Sequence, residues 1–377
     1  MILFKVSAAK ILVFVFSLFP IKRNKLLFMS YDGGQYSCNP KYITEHILAN
    51  RKEEFDIVWI LNKKGSYPFK TAKAMSLKAF FHFATARVLI SNQRLPVFFT
   101  KRKEQFYLQT WHSSLRLKQI EKDTQATLKK EYIQRAVKDS SMCNLLLSGC
   151  QKSTEIMKNA FWYNGEIFES GTPRNDILLS ADKKKAEEIK GKYQLTQKRI
   201  ALYAPTFRSG RKNVYPGSNF KKTLNENFTG DWEVVVKLHP HVKEENIEAE
   251  GLFLKDVEDT QELLIAADIL ITDYSSLMFD FALTGKPIIL FAPDLMEYQK
   301  RERKLYFQLE ELPFPIAQTE EDLNRILKNW DDRNYREKLS SFIEEIGTFE
   351  DGQASAAVTN KLSEICMQKE MKYVETL

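Results

Sequence analysis

Short apolar runs alternate with helical runs almost from end to end of this chain. That alternation restricts it to parallel sheets covered by helices. A first series holds "LLFMS" (26–30), "DIVWIL" (56–61), "RVLISN" (87–92), "FYLQTWH" (106–112), "NLLLSG" (144–149) and "GEIFESG", which leads into "TPRND" near residue 175. The charged "ADKKKAEEIKGKYQLTQK" (181–198) reads as a solvent-facing helix and linker. A second series follows: "RIALYAPTF" (199–207), "WEVVVKLHP" (232–240), "LFLKD" (252–256), "ILITDY" (269–274) and "PIILFAP" (287–293). Helical segments at 319–330, 334–346 and 354–372 close the chain. A length of 377 residues suits two domains of ordinary size. The expected fold class is therefore α/β, with two Rossmann-like domains (25–180 and 199–347) facing a cleft in a GT-B-like manner and a C-terminal helix in 348–377.

The first 24 residues form a separate segment. An apolar run from Ile11 to Phe19 lies between Lys5/Lys10 and Lys22/Arg23/Lys25. A spanning helix needs roughly 20 apolar residues, so this run is too short to cross a bilayer. No small-residue cleavage site follows, which sets it apart from a signal peptide. The segment is expected to associate peripherally with a membrane, apolar side chains in the interface and lysines among anionic headgroups. A helix packed onto the domain core is the competing expectation.

Composition narrows the partners. With 44% apolar and 28% charged residues the chain is an ordinary folded protein, and its net charge of +7 favours anionic ligands. Zinc-finger spacing, interleaved aromatic and basic motifs and a long basic arm are all missing, which argues against nucleic acid. Cys38, Cys143, Cys150 and Cys366 are scattered without metal-ligand spacing, as expected of buried thiols in a reducing compartment.

In open parallel sheets, ligands bind beyond the carboxyl ends of the strands. Four such ends carry polar clusters: "QTWHSS" (109–114), "YAPTFRS" (203–209), "KLHPH" (237–241) and "TDYSS" (272–276). Of five histidines, His46 and His82 sit in helical or aromatic surroundings, whereas His112 and His239 end strands, one in each domain. Imidazole suits proton removal from an alcohol or donation to a phosphate oxygen. Lys237, Arg174 and Arg208 supply positive charge. Ser275 or Ser276 would cap the helix that follows, whose start can seat a phosphate. Asp273 and Asp280 could orient a histidine, hold a ribose or bind a metal; no essential metal or other cofactor is expected.

Taken together, "QTWHSSLRLKQIEKD", "GTPRND", "LYAPTFR", "KLHPH" and "ITDYSSLMFDFALTGKPIILFAPDLMEYQKRERKLYF" resemble the CDP-glycerol glycerophosphotransferase family of Gram-positive bacteria, the teichoic acid primases and polymerases. The matching pieces run in order over roughly residues 106 to 310. The resemblance implies a GT-B-like enzyme, peripheral on the cytoplasmic side of the membrane. It would move glycerol phosphate (or ribitol phosphate) from CDP-glycerol or CDP-ribitol to a hydroxyl of a polyprenyl-diphosphate-linked saccharide or polyol-phosphate chain, releasing CMP.

Carried over residue by residue, the resemblance makes His112 the catalytic base, with His239 assisting. Ser113, Ser114, Arg174, Pro205, Thr206, Lys237, Leu238, Ser275, Ser276 and Asp280 would bind the CDP-alcohol. Two departures stand out. Ser113 occupies a position where the family commonly has Gly, which narrows backbone freedom and bears on substrate identity. The chain is also close to a bare catalytic unit, which favours adding one or a few units. A sugar-nucleotide glycosyltransferase on the same fold, or a non-catalytic binding homologue, would share much of this pattern. Oligomeric state is open.

Overall fold

In the computed structural model the described residues are 2–206, 220–238, 251–254, 257–301 and 304–367. The first sheet contains β1 (Lys22–Met29), β2 (Asp56–Ile60), β3 (Lys70–Ala72), β4 (Ala86–Ser91), β5 (Phe106–Gln109), β6 (Leu145–Leu147) and β7 (Glu166–Phe168). Its order is β3-β2-β1-β4-β5-β6-β7. The second contains β8 (Arg199–Ala204), β9 (Trp232–Val236), β10 (Leu252–Phe253), β11 (Ile269–Thr272), β12 (Ile288–Phe291) and β13 (Ile316–Ala317) in the order β10-β9-β8-β11-β12-β13. Every pairing in both sheets is parallel. Both orders reverse direction beside their first strand, at β1/β4 and at β8/β11, the switch points where such sheets bind ligands.

Strand periodicity builds the first core from both sides. Leu27, Met29, Val58, Ile60 and Leu89 face one layer with Phe80 and Phe83. Leu26, Phe28, Ile57, Trp59 and Ile90 face the other with Ile43 and Ile47. Trp59, fully buried, donates its indole N–H to Thr44 Oγ1 at 3.0 Å, so its polar edge carries no desolvation penalty. The closing helix Ala354–Met367 returns to this same layer through Val358, Leu362 and Ile365. The chain therefore crosses between the two bodies twice.

Two expectations change in detail. The charged 183–192 stretch is a helix, but its Ile189, with Leu195 just beyond it, is buried in the second core, so it docks rather than facing solvent throughout. The N-terminal run is the helix Ile2–Phe16, which seats Ala9 and Val13 against Phe80 and Phe83. Its opposite face leaves Ile11, Phe14 and Val15 exposed, with Leu18 and Phe19 exposed just beyond its end. One helix thus has both a packed and an open apolar side. Among the described residues no helix is long and apolar enough to cross a membrane.

Candidate active site

The carboxyl ends of both sheets open onto one interdomain cleft of about 580 Å³. Direct contacts tie the two domains together beside it. Segment 117–120 of the first domain bridges residues 304–306 of the second in antiparallel fashion: Gln119 N–H donates to Lys304 O at 2.8 Å and Tyr306 N–H to Leu117 O at 2.7 Å. On the other side Asp259 accepts from Lys41 at 2.7 Å and from Tyr42 Oη at 2.8 Å.

Beyond β5 the chain turns sharply. Trp111 takes a left-handed φ of 49° and stacks on Phe161 with ring centroids 5.1 Å apart. Its N–H donates to Gln109 Oε1 at 3.1 Å, and Asn39 Nδ2 donates to its carbonyl at 3.0 Å. These contacts hold an uncommon backbone conformation for a bulky residue, as happens where function fixes geometry. Ser113, two residues on, is absent from the positive-φ positions, so a glycine's freedom is needed at neither it nor His112.

His112 then projects into the cleft. Its Nδ1 lies 3.4 Å from Asn92 O. A carbonyl can only accept, so that contact selects the tautomer with the proton on Nδ1 and leaves Nε2 basic. The ring keeps access to solvent through the cleft, although protein surrounds it on its other sides. Burial, followed by the charges of Arg174 and Arg116, pushes its pKa down to about 4. It is therefore neutral at physiological pH.

Across the cleft, Lys237 follows β9 with its backbone N–H on Tyr203 O at 2.8 Å. Its side chain lines the cleft, and among the described residues no acidic partner accompanies it. Burial and then Arg174 lower its pKa. Pro205, Thr206, Ser275 and Ser276 line the same wall. Asp273 holds two of these ends together, accepting the Thr206 N–H at 2.9 Å and the Tyr274 N–H at 2.6 Å.

Several predicted residues turn out to be engaged within the protein. Ser276 occupies the N-cap position of helix Leu277–Ala282, yet its hydroxyl makes no bond to that helix. It accepts the Leu117 N–H from the first domain at 3.2 Å, while Ser275 Oγ accepts the Leu277 N–H at 3.3 Å. The Ser-Ser turn is an interdomain clasp as well as a helix start. Leu238 packs against the second core rather than lining the cleft. Asp280 is fully buried and ion-paired with Arg174. It also accepts from Ser114 Oγ at 3.0 Å and Asn175 Nδ2 at 3.2 Å, so Ser114 is likewise spent on the domain junction. His239 and Arg208 lie outside the described residues.

Glu350, Arg116, Glu121 and Trp111 were not among the residues that the sequence pointed to. Glu350 lies where the chain crosses back to the first domain. It accepts the Thr172 N–H at 2.9 Å, and burial pushes its carboxyl up to about 8. Gly149 permits that approach, because a Cβ there would sit 2.5 Å from Glu350 Oε1 and 2.8 Å from Ser114 Cβ. Arg116 lies inside the quoted "WHSSLRLK", where its flanking leucines gave no hint of a charged site.

Two Rossmann-like bodies with a histidine at one strand end and, among the described residues, an unpaired lysine at the other define a GT-B-like fold whose cleft suits an anionic ligand. Comparison with known proteins makes this specific. The chain belongs to the CDP-Glycerol:Poly(glycerophosphate) glycerophosphotransferase family, whose profile matches residues 11–364. It is 33% identical to the teichoic acid poly(glycerol phosphate) polymerase of Bacillus subtilis (strain 168), over 93% of this chain and 50% of that protein. The chain thus spans about half the length of that relative. With the protein of the same description from Bacillus spizizenii it shares 30% identity, over 92% of this chain and 94% of that one. Among solved structures, a histidine-to-asparagine variant of the wall teichoic acid polymerase TagF with CDPG superposes with a TM-score of 0.83 at 27% identity, covering 95% of this chain and 93% of that one.

Proposed function

We propose that this protein transfers glycerol phosphate from CDP-glycerol to a hydroxyl of a lipid-linked acceptor at the membrane surface, releasing CMP. The observation that carries this reading is a neutral, solvent-reachable His112 lining one cleft with Lys237, which has no acidic partner among the described residues. Nε2 of His112 takes the proton from the acceptor hydroxyl as its oxygen attacks the β-phosphorus. The P–O bond to CMP breaks, and CMP leaves with the bonding electrons. Lys237, with Ser275 and the Pro205–Thr206 turn, holds the diphosphate. Arg174 acts behind them, its own charge fixed by Asp280, and stabilises the oxygens on which charge gathers. His239 would assist from within "KLHPH". No metal or other cofactor is required in this scheme.

The test is CMP release by purified protein given CDP-glycerol or CDP-ribitol, with a lipid-linked saccharide or polyol-phosphate acceptor and with EDTA present. Acceptor-dependent release from CDP-glycerol that survives EDTA is expected, and preference for CDP-ribitol would change the donor. Consumption of a UDP- or GDP-sugar instead would replace the reading with glycosyl transfer.

The same proposal places the open face of helix Ile2–Phe16 in the interface of the cytoplasmic leaflet. Phe14, Leu18 and Phe19 would enter the acyl boundary, with Lys10 at the headgroups. Two aspartates there should displace the protein, since burying a charge in the interface forfeits the apolar gain. The Phe14→Asp/Leu18→Asp variant is expected to lose most co-sedimentation with phosphatidylglycerol vesicles while keeping its circular dichroism. Unchanged sedimentation would remove this face from the membrane.

A further inference from the structure

The first-domain wall of the cleft carries polar groups that the donor scheme above does not use. Arg116 is buried, yet among the described residues no carboxylate pairs with it. Of its five N–H donors the structure engages one, Nη1 to Ser153 Oγ at 3.3 Å. Its guanidinium otherwise rests over the rings of Trp111, at 5.9 Å, and Phe161, at 5.5 Å. A buried cation left without a counter-ion is costly, and proteins keep such groups where a ligand supplies the missing charge.

Two neighbours on the same wall repeat the pattern with neutral and acidic groups. Glu121 is 5% exposed and holds a left-handed φ of 52°. Its Oε1 accepts from Tyr132 Oη at 2.7 Å and pairs with Arg94, whereas its Oε2 is buried without any partner. The indole Nε1 of Trp111 is also buried and unpartnered. Glu121, Trp111 and Arg116 all line the cleft that His112 faces. Among the described residues, one unpaired cation, one unpaired acceptor and one unpaired donor therefore belong to the lining that His112 shares.

Their side of the cleft decides what they bind. With the nucleotide seated on the second domain, CMP departs toward β8, β9 and β11. In-line displacement at phosphorus then requires the attacking hydroxyl to arrive from the opposite, first-domain side. We propose that Arg116, Glu121 and Trp111 form the acceptor subsite. Arg116 binds the phosphate of a terminus that already carries a polyol phosphate, and Glu121 Oε2 and Trp111 Nε1 bind that terminus's hydroxyl groups. This rests on the polyol-phosphate transfer reading and adds to it the side chains that tell a phosphate-bearing acceptor end from an uncharged saccharide end.

Glycerophosphoglycerol serves as the phosphate-bearing probe and a neutral disaccharide as the uncharged one. Binding of each to wild type, Arg116→Gln and Arg116→Lys is measured by calorimetry, in parallel with binding of CDP-glycerol. Loss of one charge-assisted contact should weaken glycerophosphoglycerol about 10- to 100-fold in Arg116→Gln, with Arg116→Lys in between and CDP-glycerol binding unchanged. Glu121→Gln should weaken the same probe without touching the donor. The proposal is overturned if wild type fails to bind glycerophosphoglycerol, if it binds the neutral probe equally well, or if Arg116→Gln weakens CDP-glycerol as much as the acceptor. Because these are binding measurements, a failure of CMP release would count against the transfer reading alone.

Discussion

Asp280→Ala is expected to destabilise the protein by about 3–5 kcal/mol, the cost of stripping a buried charge of its partner. Asp280 is wholly inaccessible and Arg174 is nearly so, and the two are ion-paired across the domain junction. Removal of the carboxylate strands the guanidinium, whose Nε already lacks a partner, and also releases Ser114 Oγ and Asn175 Nδ2. The break would spread, since Asn175 Oδ1 accepts from Gln261 Nε2 at 3.0 Å in the second domain. Urea denaturation followed by circular dichroism reads the loss. A companion Arg174→Met/Asp280→Ala variant should recover part of it, because the stranded charge is gone, while remaining inactive. If Asp280→Ala unfolds at the wild-type midpoint, the pair does not hold the junction.

That junction shows what a single sequence can and cannot reveal. The parallel sheets were legible because apolar strands buried on both faces leave unbroken runs such as "ILIT", which becomes β11. The edge strands Lys70–Ala72 and Ile316–Ala317 were not, since "KTA" and "IA" lie outside any sustained apolar run. Strand ends were overextended where backbone chemistry stops the ladder, as where β8 halts at Ala204 before Pro205. His112, Lys237 and the Ser-Ser turn were expected from the rule that ligands gather at carboxyl ends, and the structure brings them to the lining of one cleft. What Asp280 does was hidden, because Arg174 lies 106 residues away and no local pattern encodes that pairing. Arg116 was hidden for the converse reason. A lone basic residue reads as solvated until its surroundings are known.

His112→Ala should lower the rate of CMP release by about 10²- to 10⁴-fold, the usual contribution of a positioned general base, while leaving the affinity for CDP-glycerol nearly unchanged. Its pH dependence is the sharper test. In the free protein, burial and the charges of Arg174 and Arg116 hold the imidazole near 4. Depression favours the neutral form, so kcat/KM should stay level as pH falls through 6.5 and decline only toward that lower value. A bound diphosphate reverses the sign of the local field. Its negative oxygens beside Arg174 and Lys237 offset the cations that disfavour protonation, and the imidazole pKa rises in the complex. The acid limb of kcat is therefore expected at higher pH than that of kcat/KM, with the base better matched to neutral pH once the donor is in place. Coincident limbs, or a kcat/KM limb near 6.5, would mean that the cationic wall does not act on His112 and that some other group takes the acceptor's proton.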